Sequence, residues 1–328
     1  MQKNPSMQPI LESPDIETML ESVRKYIISN INTYDPTLRK MALYFANNQG
    51  KMLRPTLTLT CGLIGGSENV KMDELYMAAA GVEMLHMSAL LHDDILDKAK
   101  TRRGQPSVNA LYGQDKALLL GDYFYSRALH ILSRLSHKSI LEKAIKVIAQ
   151  MVEGEIKQQR QAFDITTQIK DYLTIISCKT ASLTSFSCFA GARIANLTEE
   201  QIRRLVKMGL NLGRAYQIRD DILDFLNKED YMKKPASDME QGIITLPLIL
   251  LIKKISNTED LETYDIKHFL KFPLDPLLKI DAAGEAAQYA NYLLSEAIES
   301  LRFFPPCNIK LKLLQVLNKV LINEILIQ

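Results

Sequence analysis

The stretch EMLHMSALLHDDILD spans residues 83–97 and ends an apolar run in three carboxylates, Asp93, Asp94 and Asp97. Neither glycine nor proline interrupts it, so the spacing predicts a helix. At about 100° per residue, His86, Leu90, Asp93 and Asp97 fall in one narrow stripe of that helix. The pentad DDILD returns as Asp220, Asp221 and Asp224, 127 residues later, behind Leu212, Gly213 and Ala215. In each copy the first and last aspartates stand one turn apart on one face, where like charges cost roughly 0.2–0.5 kcal/mol. The turns before both pentads are apolar or small, so the carboxylates close an oily face and call for a cation. Magnesium suits such donors: it takes hard oxygen ligands, keeps waters, and is usually shared between one or two carboxylates and substrate phosphates. A single DDxxD reads equally well as a solvated acidic helix end. Two copies in equivalent helical settings point instead to two helices facing one set of ions.

Outward from the pentads, helical periodicity dominates. Glycine and proline number only 14 and 12, and they punctuate long stretches with apolar residues three and four apart. The chain is therefore expected to be all-α, a single domain over residues 1–328, opening with an amphipathic helix at 16–33. The first ~15 residues are expected to be flexible. The segment Leu311 to Ile327 is strongly apolar. Core or subunit packing is favoured for it over an interfacial membrane helix, because its polar face is not basic.

Composition bounds the function. Hydrophobic residues make up 47% of the 328, enough for a large core. A net charge of +2 supplies no global field for nucleic acid or a membrane surface, so anions must be met by local clusters. The four cysteines, Cys61, Cys178, Cys188 and Cys307, form no CxxC pair and fit a reducing compartment as buried thiols. The N-terminus lacks a signal-peptide pattern, and no run of about 18 apolar residues stands out. A cytoplasmic protein is expected, without a transmembrane segment.

Positive charge trails both pentads. Gly50-Lys51-Met52-Leu53-Arg54-Pro55 reads as a loop entering a helix, a place suited to anions. Lys100, Arg102 and Arg103 follow the first pentad, Lys179-Thr180 lies within a helix, and Lys233-Lys234 follows the second pentad. Any one cluster is commonly a solvated surface. Together with the carboxylates they suggest a metal–diphosphate site. His86 is either a satisfied core histidine or a substrate contact.

These segments, in order, resemble the trans-isoprenyl diphosphate synthase family, polyprenyl diphosphate synthases of medium to long chain. The likeness runs from about residue 20 to about residue 325 through GKMLRP, the DDILD helix, RRGQPSV, GDYFYSRA, KTASL, YQIRDDILDF and KKPASDMEQGIITLPL. The resemblance implies a helical bundle around a deep central cavity, usually dimeric. It implies magnesium-dependent joining of isopentenyl diphosphate to an allylic diphosphate, giving a linear all-trans product. Carried over by position, Asp93, Asp94, Asp97, Asp220 and Asp224 would hold several Mg2+ ions, with Asp221 close by. Arg102, Lys179 and Lys234 would contact the allylic diphosphate. Lys51, Arg54, His86 and Arg103 would hold isopentenyl diphosphate, and Thr180 and Gln217 would line the reacting centre. Departures are the Gln49 that replaces the first glycine of a common GGK, and Ile243, where a lysine is usual before Thr245-Leu246-Pro247. The segment before it is one residue short, which puts the Lys234–Asp238 geometry in question.

Product length is read from the turn before Asp93. Ser88 and Ala89 are small where short-chain members carry aromatics, which leaves room for a tail longer than farnesyl, with Val82 and Leu85 as candidate floor residues. The bland alternative is that the small residues only let helices pack closely. Geranylgeranyl or farnesyl diphosphate remains an alternative product. A class I terpene cyclase would carry a different second metal motif. A non-catalytic partner subunit would tend to lose an aspartate triplet, and both are intact. A homodimer is expected, a heterodimer with a small subunit is the other option, and the product would pass to a membrane.

Overall fold

The computed structural model describes residues 15–48, 50–66, 68, 70–226, 238–239, 241–256 and 276–321. Lys234 and the first fourteen residues lie outside them. The expected opening helix is α1, Ile16–Ser29, whose first turn is capped by the Asp15 carboxylate accepting from the amides of Glu17 and Thr18. Asp35 caps α2, Pro36–Asn47, with proline in the first turn, where a missing N–H costs nothing. Helix α3, Leu53–Leu63, is entered through Met52 in the left-handed region (φ 52°).

Helix α4, Met72–Leu96, carries the first pentad at its C-terminal end and is 25 residues long, or about 37 Å. It is apolar nearly all round, as a helix enclosed by others must be. It lies against α1, α3, α6 and α9. It ends with a lysine doing a glycine's work: Lys98 takes φ 50°, its amide donates to the Ile95 carbonyl, and that of Ala99 donates to the Asp94 carbonyl. A two-strand hairpin follows, β1 (Thr101–Arg102) pairing antiparallel with β2 (Gln105–Pro106). Its turn residues Arg103 and Gly104 both have positive φ, the geometry that matches strand twist. This hairpin is the one strand pairing among the described residues, and the all-α expectation holds around it.

The chain continues through α5 (Val108–Tyr112), α6 (Gln114–Ser133), α7 (Lys138–Arg160) and α8 (Ile169–Ile176). Next comes a five-residue π turn at Ser177–Ala181, leading directly into α9, Ser182–Ile194. The second pentad ends α10, Glu199–Phe225, which starts in a capping box between Thr198 and Gln201. Then follow α11 (Leu246–Ser256), α12 (Pro276–Leu301) and α13 (Asn308–Asn318). Alanines at 282, 283, 286, 287 and 290 of α12 are buried, and this helix packs closely on α10. Helix α13 buries Ile309, Leu313 and Leu317 against α3 and α12, which is the packing role expected of the C-terminal segment as far as residue 321.

The nearly buried α9 is the hinge of the arrangement. Both pentad helices, α4 and α10, pack against it. The continuous run Ile169–Ile194 is long and apolar enough to cross a bilayer by length and composition, although the sequence reading noted no such run. Of its apolar window, 61% is buried inside the protein, and Lys179 and Thr180 lie within it.

Candidate active site

A cavity of about 1640 Å³ opens between α4, α7, the π turn and α10. Asp93 and Asp97 from the first pentad and Asp220, Asp221 and Asp224 from the second line it together. The two acidic helix faces therefore share one space. Lys51, Arg54, His86, Arg102, Arg103, Lys179, Thr180 and Gln217 line it too. Its oily part is made by Ala89, Leu90, Met151, Ile175, Ile176 and Leu183 among others.

The π turn carries Lys179 and Thr180, and it is clamped on both sides by glycines. A Cβ on Gly154 of α7 would lie 2.7 Å from the Lys179 amide nitrogen. A Cβ on Gly213 of α10 would lie 2.6 Å from the Ala181 Cα. Backbone-to-backbone contact of this kind admits only glycine, and π turns commonly mark functional sites. The clamp brings Glu155 to the Lys179 ammonium, Oε2 to Nζ 2.6 Å. Burial works against charge on Lys179, but Asp93 and Glu155 outweigh it and hold its pKa above the usual value. Burial pushes the Asp93 carboxyl up to about 6, with Lys179 pulling down and Glu155 and Asp97 pushing further up.

The second aspartate of each pentad is turned about 100° from the first and is held by the protein itself. Asp94, 2% exposed, is gripped by Arg102 through two parallel bonds, Nε to Oδ2 2.7 Å and Nη2 to Oδ1 2.6 Å. It does not line the cavity, although it was expected among the metal ligands. Arg102, expected on the allylic diphosphate, lines the cavity while bonded to Asp94. Asp221 is also buried, accepting from the Tyr172 hydroxyl (2.6 Å) and the Gln217 amide nitrogen (2.8 Å). Gln217 accepts in turn from the Thr180 hydroxyl at 2.8 Å. Burial and the nearby Asp238 charge push the Asp221 carboxyl far above the usual carboxylate range, against the pull of its two donors. Asp224 accepts from the Asp238 amide at 3.0 Å, and the Asp238 carbonyl accepts from the Ile243 amide, so the second pentad is tied to the loop before α11.

Lys51, Arg54, His86 and Arg103 line the same cavity. Arg103 donates to the Asn48 carbonyl at 2.7 Å. Burial, then the charges of Arg54, Arg103 and Arg102, hold His86 well below the usual imidazole pKa, so its ring is neutral. Glu83 is buried in the same wall, and burial raises its carboxyl while Arg54 and Arg103 lower it.

Of the four residues expected to set product length, Ala89 alone lines the cavity. The Ser88 hydroxyl donates to the Gly121 carbonyl of α6 at 2.7 Å, so it serves packing. Val82 and Leu85 are fully buried in the core behind the wall. Tyr125 of α6 lines the cavity and was not singled out from GDYFYSRA. Tyr172, Glu155 and Glu83 were missed for a common reason. Their partners lie on other elements, and no local spacing announces them. Lys234 lies outside the described residues.

The chain matches the polyprenyl synthetase family model over residues 35–269. The chain belongs to the polyprenyl synthetase family. The synthase is therefore a prenyltransferase. It is 32% identical over 233 residues to a nonaprenyl diphosphate synthase of Mycobacterium tuberculosis, covering 71% of this chain and 69% of that one. It is 34% identical to heptaprenyl diphosphate synthase component 2 of Geobacillus stearothermophilus, with 72% of each covered. Among solved structures it resembles a polyprenyl synthase of Caulobacter crescentus complexed with calcium and isoprenyl diphosphate. The TM-score is 0.80 and the identity 27%, covering 95% of this chain and 94% of that one. The synthase shares the all-helical fold of that protein.

Whether the lining suits magnesium is decided by its donors. Among the described residues no three carboxylate, histidine or cysteine side chains stand close enough to cage an ion alone. Magnesium is usually held by one or two carboxylates and completed by substrate oxygens and water, and Asp93, Asp97, Asp220 and Asp224 offer such oxygens in the cavity lining. A carboxyl forced up to about 6 beside a second carboxylate, as Asp93 is, is a donor set that a divalent cation would relieve.

Proposed function

We propose that the synthase condenses isopentenyl diphosphate with an allylic diphosphate in a magnesium-dependent reaction, giving a linear all-trans prenyl diphosphate longer than farnesyl. The observation that carries the reading is the sharing of one cavity by Asp93 and Asp97 with Asp220 and Asp224, beside Lys179. The calcium and isoprenyl diphosphate held by the Caulobacter relative support the same chemistry here. The heptaprenyl and nonaprenyl relatives support a long product.

In this reading Asp93, Asp97, Asp220 and Asp224 hold the ions, which when bound neutralise charge on the departing diphosphate. Lys179 and Arg102 add positive charge on the same side. Lys234 belongs to that set by its sequence position. The allylic C–O bond breaks, and the Thr180 hydroxyl and Gln217 amide, fixed by Asp221 and Tyr172, present oriented dipoles to the allylic cation. Met151, Ile175, Ile176 and Leu183 keep water from it. Lys51, Arg54, His86 and Arg103 hold isopentenyl diphosphate, whose double bond forms the new C–C bond. The proton then lost passes to the departed diphosphate. No side-chain nucleophile takes part.

The synthase pairs through α6 and α7 in the cytosol. Leu118 and Leu119 of α6 and Ile145 of α7 are 48–62% exposed, apolar surface that a second copy would cover. A relative named component 2 makes a small second subunit the other candidate. Light scattering of the purified chain distinguishes a dimer from a monomer awaiting that subunit.

The test is incubation of the purified chain with magnesium, isopentenyl diphosphate and allylic primers of several lengths, followed by product sizing. Asp93→Ala and Asp220→Ala should each lower kcat by about 10³-fold or more at unchanged helicity. Near-normal turnover in both variants overturns the assignment, and a cyclic hydrocarbon as product overturns the reaction.

A further inference from the structure

Arg219 stands on α10, one residue before Asp220 and three after Tyr216, and it lines the cavity. The sequence reading assigned it nothing. Its Nε is sealed from solvent and has no hydrogen-bond partner. The Nε of Arg54, in the wall of the same cavity, is in the same condition. Buried polar groups are normally bonded, and an unbonded donor on a charged group is costly enough to ask what it awaits. Tyr216 relates the arginines in space. Burial and the Asp220 charge raise its phenol, while the positive charges of Arg219, Arg54 and Arg103 lower it. Arg219, Arg54 and Arg103 thus line one cavity with Tyr216, and Arg219 follows Tyr216 by three residues, on the same face of α10.

A planar fork of N–H donors matches phosphate oxygens two at a time, and several forks together match a diphosphate. A duller role for Arg219 is to offset its chain neighbour Asp220. That would account for the charge, but the place of Arg219 in the lining of the cavity that also holds Arg54 and Arg103 favours an anionic ligand. We propose that Arg219 binds diphosphate as the third arginine, with Arg54 and Arg103, of the isopentenyl diphosphate seat. The inference rests on the functional reading above and extends it to a residue outside the expected set.

The experiment compares wild type, R219Q and R219K, each checked for helicity by circular dichroism. R219Q should raise the KM for isopentenyl diphosphate about tenfold, the worth of one charge-assisted pair. The KM for the allylic diphosphate should stay within about twofold. R219K, which keeps the charge and loses the fork, should fall between. Inorganic diphosphate titrated calorimetrically without magnesium should bind R219Q more weakly than wild type. An allylic KM that rises instead, or equal affinity of the two proteins for inorganic diphosphate, overturns the inference. Failure of wild type to condense the substrates overturns the functional reading instead, and the calorimetric titration still decides Arg219.

Discussion

Replacing Gly154 by alanine should cripple turnover at a cost in stability of no more than about 2 kcal/mol. The added Cβ would lie 2.7 Å from the Lys179 amide nitrogen, 2.8 Å from the Cys178 Cβ and 3.2 Å from the Cys178 carbonyl carbon. Ordinary contacts begin near 3.5 Å, so α7 and the π turn must part by about 0.8 Å. No flexible side chain tip is available to move aside, because the atoms struck belong to the turn's own backbone and a Cβ. Overpacking of this kind costs about 1–3 kcal/mol, and alanine recovers about 0.8–1.0 kcal/mol of helix propensity. The net loss is about 2 kcal/mol at most, a fall in Tm of a few degrees. The displaced turn, however, carries Lys179 and Thr180, and a misplacement near 1 Å costs on the order of 10²-fold in rate. The assay is steady-state kcat and KM alongside thermal melting, with Gly284→Ala as control. Nothing lies within 4 Å of a Cβ at 284, so that variant should be neutral or slightly stabilised. A Gly154→Ala enzyme with wild-type kcat would show that the π turn does not position the reacting groups.

Ala89→Phe places a ring in the cavity wall one turn, about 6 Å, before Asp93 and should shift the products toward shorter chains. Product sizing checks it, and an unchanged ladder would refute the role of Ala89. In the magnesium-free protein, pH should act through Asp93, whose carboxyl burial raises from 3.8 to about 6. Between those values the folded state keeps a proton that the unfolded chain releases, so the contribution of Asp93 to stability is greatest below about pH 4 and falls as pH rises through 6, while the depressed His86 contributes with the opposite sign. Asp221, raised further by burial, prolongs the decline. Tm followed against pH in a chelator for wild type and Asp93→Asn isolates that contribution: the wild-type Tm minus the variant Tm should fall as pH rises from about 4 to 6. A difference that stays constant between about pH 4 and 7 would refute the burial argument.

The sequence made the outer aspartates of each pentad legible because they share one helix stripe, and a stripe is what periodicity reports. Asp93 with Asp97, and Asp220 with Asp224, do line one cavity. What periodicity cannot report is the partner of a residue one step off the stripe. Ser88 and Ala89 are adjacent and both small, yet a 100° step sends the first to the Gly121 carbonyl, 33 residues on, and leaves the second in the cavity wall. The Lys179–Glu155 pair was hidden for the same reason, since it exists only because Gly154 lets two backbones touch.

The second aspartates make the point most sharply. Read as charge alone, Asp94 and Asp221 were grouped with or near the metal ligands. Both are instead buried and satisfied by protein donors, Asp94 by Arg102 and Asp221 by Tyr172 and Gln217. Removing one partner of a buried charged pair such as Asp94–Arg102 costs about 3–5 kcal/mol, far more than an idle surface aspartate would. Each pentad thus combines two jobs at fixed angular offset. Its outer carboxylates face the cavity, and its second carboxylate braces a neighbouring element: the hairpin beyond α4 in one case, and α8 and the Gln217–Thr180 pair in the other. That division explains why a helix should spend three acids in five residues where one or two would suffice to meet an ion shared with substrate phosphates.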